Sequence, residues 1–161
     1  MQKIVPFLWF NDNAEEAVQF YTSIFKDSGV DDVSRYSDTG PGPAGAAMVV
    51  EFRLEGQPFM ALNGFNAEGS APTAVNGAIA LFVNCKTQAE TDRLWERLSE
   101  GGEQLPCGWV RDKYGFSWNI VPEGLVDVIS GGDPVRSQRA MQAMMQMQKL
   151  DIDELRRVYN A

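Results

Sequence analysis

Apolar and polar positions change period several times along this chain, and each change marks an element. Residues 4–10, IVPFLWF, form an apolar run rich in aromatic and β-branched side chains, the composition of a strand. Asn11, Asp12 and Asn13 break it. Asn13 with Glu16 three residues on has the form of a capping box opening a helix. Ala17, Phe20, Tyr21 and Ile24 then fall on one face at helical spacing, and Asp27, Ser28 and Gly29 end the helix. Strands are expected over 30–37, 47–54 and 57–63. The Gly- and Pro-rich loop 39–45, TGPGPAG, separates the first two, and a tight turn at Glu55-Gly56 separates the last two. The order is β-α-β-β-β.

After a polar, turn-rich segment at 64–77, the order repeats. Residues 78–83, AIALFV, read as a strand, and Thr87 with Glu90 forms a second capping box. Ala14, Glu16, Phe20, Tyr21 and Ile24 have counterparts in Gln88, Glu90, Leu94, Trp95 and Leu98, a constant offset of 74 (Ala14 to Gln88); the preceding strands match at 73. Strands follow near 103–107, 109–112 and 117–121. Internal repetition on this scale points to duplication. The tail is helical. Asp133-Pro134 is an N-cap followed by proline at the first helical position. Asp151 with Glu154 is a third capping box, and Leu150 with Leu155 takes the positions of a hydrophobic staple. Met141, Met144, Met145 and Met147 are expected to form a core stripe or a subunit contact, with a promiscuous binding surface as the other reading.

Composition narrows the function. The chain has 161 residues and a formal net charge of −8, a balance that opposes binding to nucleic acid or to an anionic membrane surface. No apolar run approaches the roughly 20 residues needed to span a bilayer. The N-terminus has no small-residue cleavage site after its apolar stretch, so it reads as a strand and the expected location is cytoplasmic. Cys85 and Cys107 form no metal-binding or redox spacing and read as structural thiols. There is no histidine. That removes the commonest general base and the commonest transition-metal ligand.

Two tandem βαβββ modules resemble the vicinal oxygen chelate superfamily of glyoxalases, bleomycin-resistance proteins and extradiol dioxygenases. The closer resemblance is to its PhnB-like branch, often labelled 3-demethylubiquinone 3-methyltransferase. It is carried by PFLWFNDNAEEAVQFY (6–21), RYSDTGPGPAG (35–45), ALNGF (61–65), FVNCKTQAETDRLWERLSEGG (82–102), CGWVRDKYGFSWNIVP (107–122) and MQAMMQMQKLDIDELRRVY (141–159). The resemblance implies an α+β fold in one domain. Module one is 1–63, the linker 64–77, module two 78–122 and a C-terminal helical extension 123–161. The modules are expected to form a curved mixed sheet around a concave cavity. Metal-dependent relatives hold a metal there with His and Glu. The equivalent positions here are Val5 or Pro6, Ala61, Ala78 and Asn119, so no metal and no other cofactor is expected. The GPGPAG loop lies between two strands and its prolines remove N–H donors, which speaks against a methyl-donor site.

Side chains alternate across a strand. In phase with the ligand-equivalent positions, Val5, Phe7 and Trp9 are expected inside the cavity, with Leu8 and Phe10 against the helix. Phe59, Ala61 and Asn63, then Ala78, Ala80 and Phe82, then Ser117, Asn119 and Val121, are expected to face the same way. The candidate substrate-binding residues are Phe7, Trp9, Asn63, Phe82, Trp109 and Asn119, and Trp9, Asn63 and Asn119 are expected to converge. A cavity filled by its own side chains is the other reading. Trp118, Arg35 and Tyr36 are weighed as lining groups against core or surface roles. Arg111, Asp112 and Lys113 read as a surface turn, and Glu51 as the best acid/base candidate if it faces inward. No catalytic residue is assigned. The expected function is metal-free binding of a small, partly aromatic molecule by a homodimer. The alternatives are a non-metal lyase, isomerase or transferase using Glu51, Tyr36 or Cys107, and an interaction module.

Overall fold

The computed structural model describes residues 3–65 and 78–161. The chain divides into two compact units, Met1–Thr73 and Ala74–Ala161. Each contains the β-α-β-β-β order read from the sequence, in its own four-stranded mixed sheet.

In the first unit, β1 (Phe7–Phe10) pairs in parallel with β4 (Gln57–Asn63), which pairs with β3 (Ala47–Leu54), which pairs with β2 (Gly29–Arg35). Helix α1 (Ala14–Ile24) lies against β2, β3 and β4. The face it covers is apolar: Leu8, Phe10, Val50, Phe52, Phe59 and Ala61 are buried there. Glu55 and Gly56 both take positive φ, 48° and 75°. That is the two-residue turn whose twist matches a tight hairpin, and it sets Leu54 opposite Gln57 and Phe52 opposite Phe59. The two Phe rings stack with centroids 5.4 Å apart. In the 39–45 loop, a Cβ at Gly40 would collide with the Tyr36 ring, and one at Gly42 with the rings of Tyr36 and Phe65. The glycines there make room for an edge-to-face aromatic pair.

In the second unit, β5 (Leu81–Cys85) pairs in parallel with β8 (Ser117–Pro122), followed by β7 (Trp109–Arg111) and β6 (Glu103–Gln104). Helix α2 (Gln88–Ser99) covers Val110, Trp118 and Ile120. Two strands differ from expectation. The fifth begins three residues later than 78, because its pairing with β8 starts at Leu81 opposite Trp118; Ala78 and Ala80 precede it. The sixth stops at Gln104, because Pro106 has no N–H and Cys107 and Gly108 take φ of 60° and 81°.

Three helices complete this unit: α3 (Leu125–Ile129), which the sequence reading missed, α4 (Pro134–Met144) and α5 (Ile152–Asn160). The Asp133 and Asp151 side chains cap α4 and α5 as expected, each accepting two backbone N–H groups. Leu125, Val128, Ala140, Leu150, Ile152 and Leu155 form a buried cluster with Val121. The connection before α5 also bonds to the sheet side: Met147 and Gln148 carbonyls accept the N–H groups of Cys107 and Gly108 at 2.8 and 2.7 Å. The Gln88 side chain reaches Leu150 O and Ile152 N–H at 2.9 Å each.

Candidate functional site

Each sheet has a face that its helix α1 or α2 leaves open, and strand register assigns the residues to it. In the first unit one row across the sheet is Trp9, Leu62, Val49 and Ser34; the next is Phe7, Met60, Glu51 and Asp32. Phe7 is 55% exposed and Trp9 46%. In the second unit the matching row is Phe82, Asn119 and Trp109, with Phe82 66% and Trp109 38% exposed. Phe82 is the counterpart of Trp9 at the offset of 73, so the repeat places an exposed aromatic at the same point of each sheet. Large apolar side chains grouped in the open mark binding surfaces more often than chance decoration. Val121 stands in phase with Asn119, but the C-terminal helices bury it.

Five of the six candidate residues thus lie on open faces; Asn63 does not. It pairs with Phe10, on the face covered by α1, and is 3% exposed. Its Oδ1 accepts the Ala14 N–H at 2.8 Å and its Nδ2 donates to the Ala47 carbonyl at 3.1 Å. Asn13 makes no side-chain cap, so the expected capping box at the start of α1 is replaced by an amide from 49 residues away. Trp9 and Asn63 therefore occupy opposite faces of one sheet. Phe59 and Ala61 move with Asn63: the fourth strand is out of phase with the expectation by one residue, which turns every side chain over. Met60 and Leu62, absent from the expected set, are the open-face groups.

The signal for this register was present. In β3, Val50, Phe52 and Leu54 alternate with Glu51 and Arg53, which identifies the buried face. A two-residue turn at Glu55-Gly56 carries that phase to Gln57, Phe59 and Ala61. The fourth strand, QPFMALN, is apolar on both sides and has no phase of its own.

Other candidates resolve individually. Tyr36 is buried, and its hydroxyl donates to Asn63 O at 2.6 Å, so it is a structural bond, not a ligand or acid/base group. Arg35 holds Glu15 at 3.1 Å and Gly45 O at 3.0 Å. Trp118 is core, and its indole N–H donates to Asp112 Oδ2 at 2.7 Å. Asp112 is the correction to the surface-turn reading. It is buried, and its Oδ1 also accepts the N–H groups of Tyr114 and Phe116. The carboxylate is satisfied by its own hairpin, which removes the cost of burying it. The Cys107 thiol faces Met144 O and Met145 Sδ in the connection to the helices. Cys85 is fully buried, and desolvation pushes its thiol above the ordinary range. Glu51 does share the open face with Phe7 and Met60.

A catalytic metal in this fold would draw its ligands from the equivalent strand positions. Correcting the register exchanges Ala61 for Met60 or Leu62; the other equivalent positions stay Val5 or Pro6, Ala78 and Asn119. A thioether and an amide oxygen are not the His and carboxylate set a divalent catalytic metal requires. Among the described residues no group of three or more His, Cys, Asp or Glu is gathered for one. The donors do not fit.

Residues 2–121 match the family model described as 3-demethylubiquinone-9 3-methyltransferase. The PhnB protein of Bacillus cereus is similar at 37% identity over 75% of this chain and 99% of its own, with a TM-score of 0.67. A Pseudomonas aeruginosa protein is similar at 25% identity over 76% of this chain and 100% of its own, with a TM-score of 0.59. No curated protein matches the chain. The chain belongs to the PhnB-like, 3-demethylubiquinone-9 3-methyltransferase family. The family model ends at residue 121, so α3, α4 and α5 lie beyond it. Among the described residues no helix is long and apolar enough to cross a membrane.

Proposed function

We propose that this chain binds a small, partly aromatic organic molecule without a metal, on the open aromatic faces of its sheets. The observation that carries this reading is the exposure of Phe7, Trp9, Phe82 and Trp109 on the faces opposite α1 and α2. Such surfaces, mostly apolar with a few orienting polar groups, are the chemistry of small-molecule recognition. Asn119 and Glu51 are among the polar groups on them.

The four tryptophans supply the test. Trp9 and Trp109 lie on open faces, while Trp95 and Trp118 are buried under or within α2. A panel of aromatic fragments titrated into tag-free protein should shift the indole N–H resonances of Trp9 and Trp109 and leave the other two in place. Shifts confined to Trp95 and Trp118, or none at all, would end the reading. Glu51 supports a second reading, an enzyme with this carboxylate as acid or base. A product detected from a bound fragment, and lost in Glu51→Gln, would favour it.

A further inference from the structure

The open face of the first unit is charged as well as aromatic. Glu51 is partly buried in the row of Phe7 and Met60, and Asp32 follows it across the sheet. Among the described residues neither carboxylate has a hydrogen-bond or ion-pair partner. The neighbouring cations are already matched. Arg53 Nε holds both oxygens of Asp31 at 2.8 and 3.0 Å, and Arg35 holds Glu15. The face therefore presents unmatched negative charge beside two exposed rings, on a chain whose net charge is −8.

We propose that this face selects a cationic aromatic molecule, a protonated arylalkylamine, pairing its ammonium with Glu51 and its ring with Phe7 and Trp9. The inference rests on the binding reading above and narrows it to a ligand class. An ammonium gains from the carboxylate and from aromatic faces alike. A neutral analogue loses the first interaction, and an anion meets repulsion from Glu51 and Asp32. Because the groups are partly solvated, the preference is sensitive to ionic strength.

Three probes of similar size separate the possibilities: 2-phenylethylammonium, 2-phenylethanol and phenylacetate, titrated into the full chain and followed at the Trp9 indole resonance. The amine is expected to bind about tenfold more tightly than the alcohol, with phenylacetate weakest. The preference should shrink in about 0.5 M NaCl, where charges are screened beyond a few ångströms. Glu51→Gln should bring the amine-to-alcohol ratio toward one. Asp32→Asn, at an exposed position, should lower the ratio partly, and it serves if Glu51→Gln does not fold. If all three probes shift Trp9 with equal affinity, the cation inference is overturned and the binding reading stands. If none shifts Trp9, the cation inference falls, and the binding reading falls with it only if the fragment panel also leaves both Trp9 and Trp109 in place.

Discussion

The Asn63 side chain caps a helix that begins 49 residues earlier: its Oδ1 accepts the Ala14 N–H at 2.8 Å, while its Nδ2 holds Ala47 O. In the second unit the equivalent position on the last strand is Ile120, fully buried, and α2 is capped locally, with Thr87 Oγ1 accepting the Glu90 N–H at 3.1 Å. The two halves of the duplication have solved one problem differently. Where the residue before the helix caps, the strand carries an apolar side chain; where it does not, the strand supplies an amide.

Asn63→Leu should therefore destabilise the fold and leave the open face chemically intact. It orphans a buried N–H at the helix start and the Ala47 carbonyl. A cost of about 2–3 kcal/mol is expected, visible as a lower midpoint in urea unfolding. A variant of unchanged midpoint would contradict the capping role.

Asn119→Leu should behave in the opposite way. Asn119 lies on the open face, and among the described residues its side chain makes one hydrogen bond, a long one of 3.3 Å to Cys107 O. The expected loss of stability is under about 1 kcal/mol, while affinity for a bound fragment falls. Comparing urea midpoints and fragment affinities of the two Asn variants checks both assignments at once.

Asp112→Ala removes the acceptor for three donors: the N–H groups of Tyr114 and Phe116, and the buried Trp118 indole. A loss of about 3 kcal/mol is expected. Trp118→Phe, which leaves the carboxylate its two backbone partners, should cost less. Equal costs in the two variants would mean that the indole bond dominates.

The two thiols should separate chemically. Cys85 is buried and its thiol is raised, chiefly by desolvation, so a thiol reagent near neutral pH should modify Cys107 first and reach Cys85 only on unfolding. The sign for stability follows from the raised value. The Cys85 contribution is fully present below the unfolded-state pKa, about 8.5, and is lost as pH rises from there toward the folded value. Cys85→Ala should flatten that alkaline decline.

Truncation after Ser130 should expose the Val121, Leu125 and Val128 cluster and remove the acceptors of the Cys107 and Gly108 N–H groups. Leu150, Ile152 and Leu155 each contribute on the order of 1.5–3 kcal/mol by burial. The truncated chain should aggregate or melt well below the full chain. One that stays monodisperse at the same melting temperature would contradict an integral role for α4 and α5.

What the sequence determined by itself is what local patterns can carry. The strand-helix order, the duplication, the Glu55-Gly56 turn and the caps at Thr87, Asp133 and Asp151 were legible, because period, turn chemistry and N-cap chemistry act over a few residues. The open placement of Phe7 and Trp9 followed from the family resemblance, which set the phase, and from alternation along the strand. Only the tertiary structure decided the face of Asn63, the burial of Asp112 and the fate of Tyr36. Each depends on which distant donor or acceptor the fold brings within 3 Å. A polar side chain in an apolar stretch satisfies a backbone group across the core as readily as it greets a ligand, and strand pairing alone distinguishes the two.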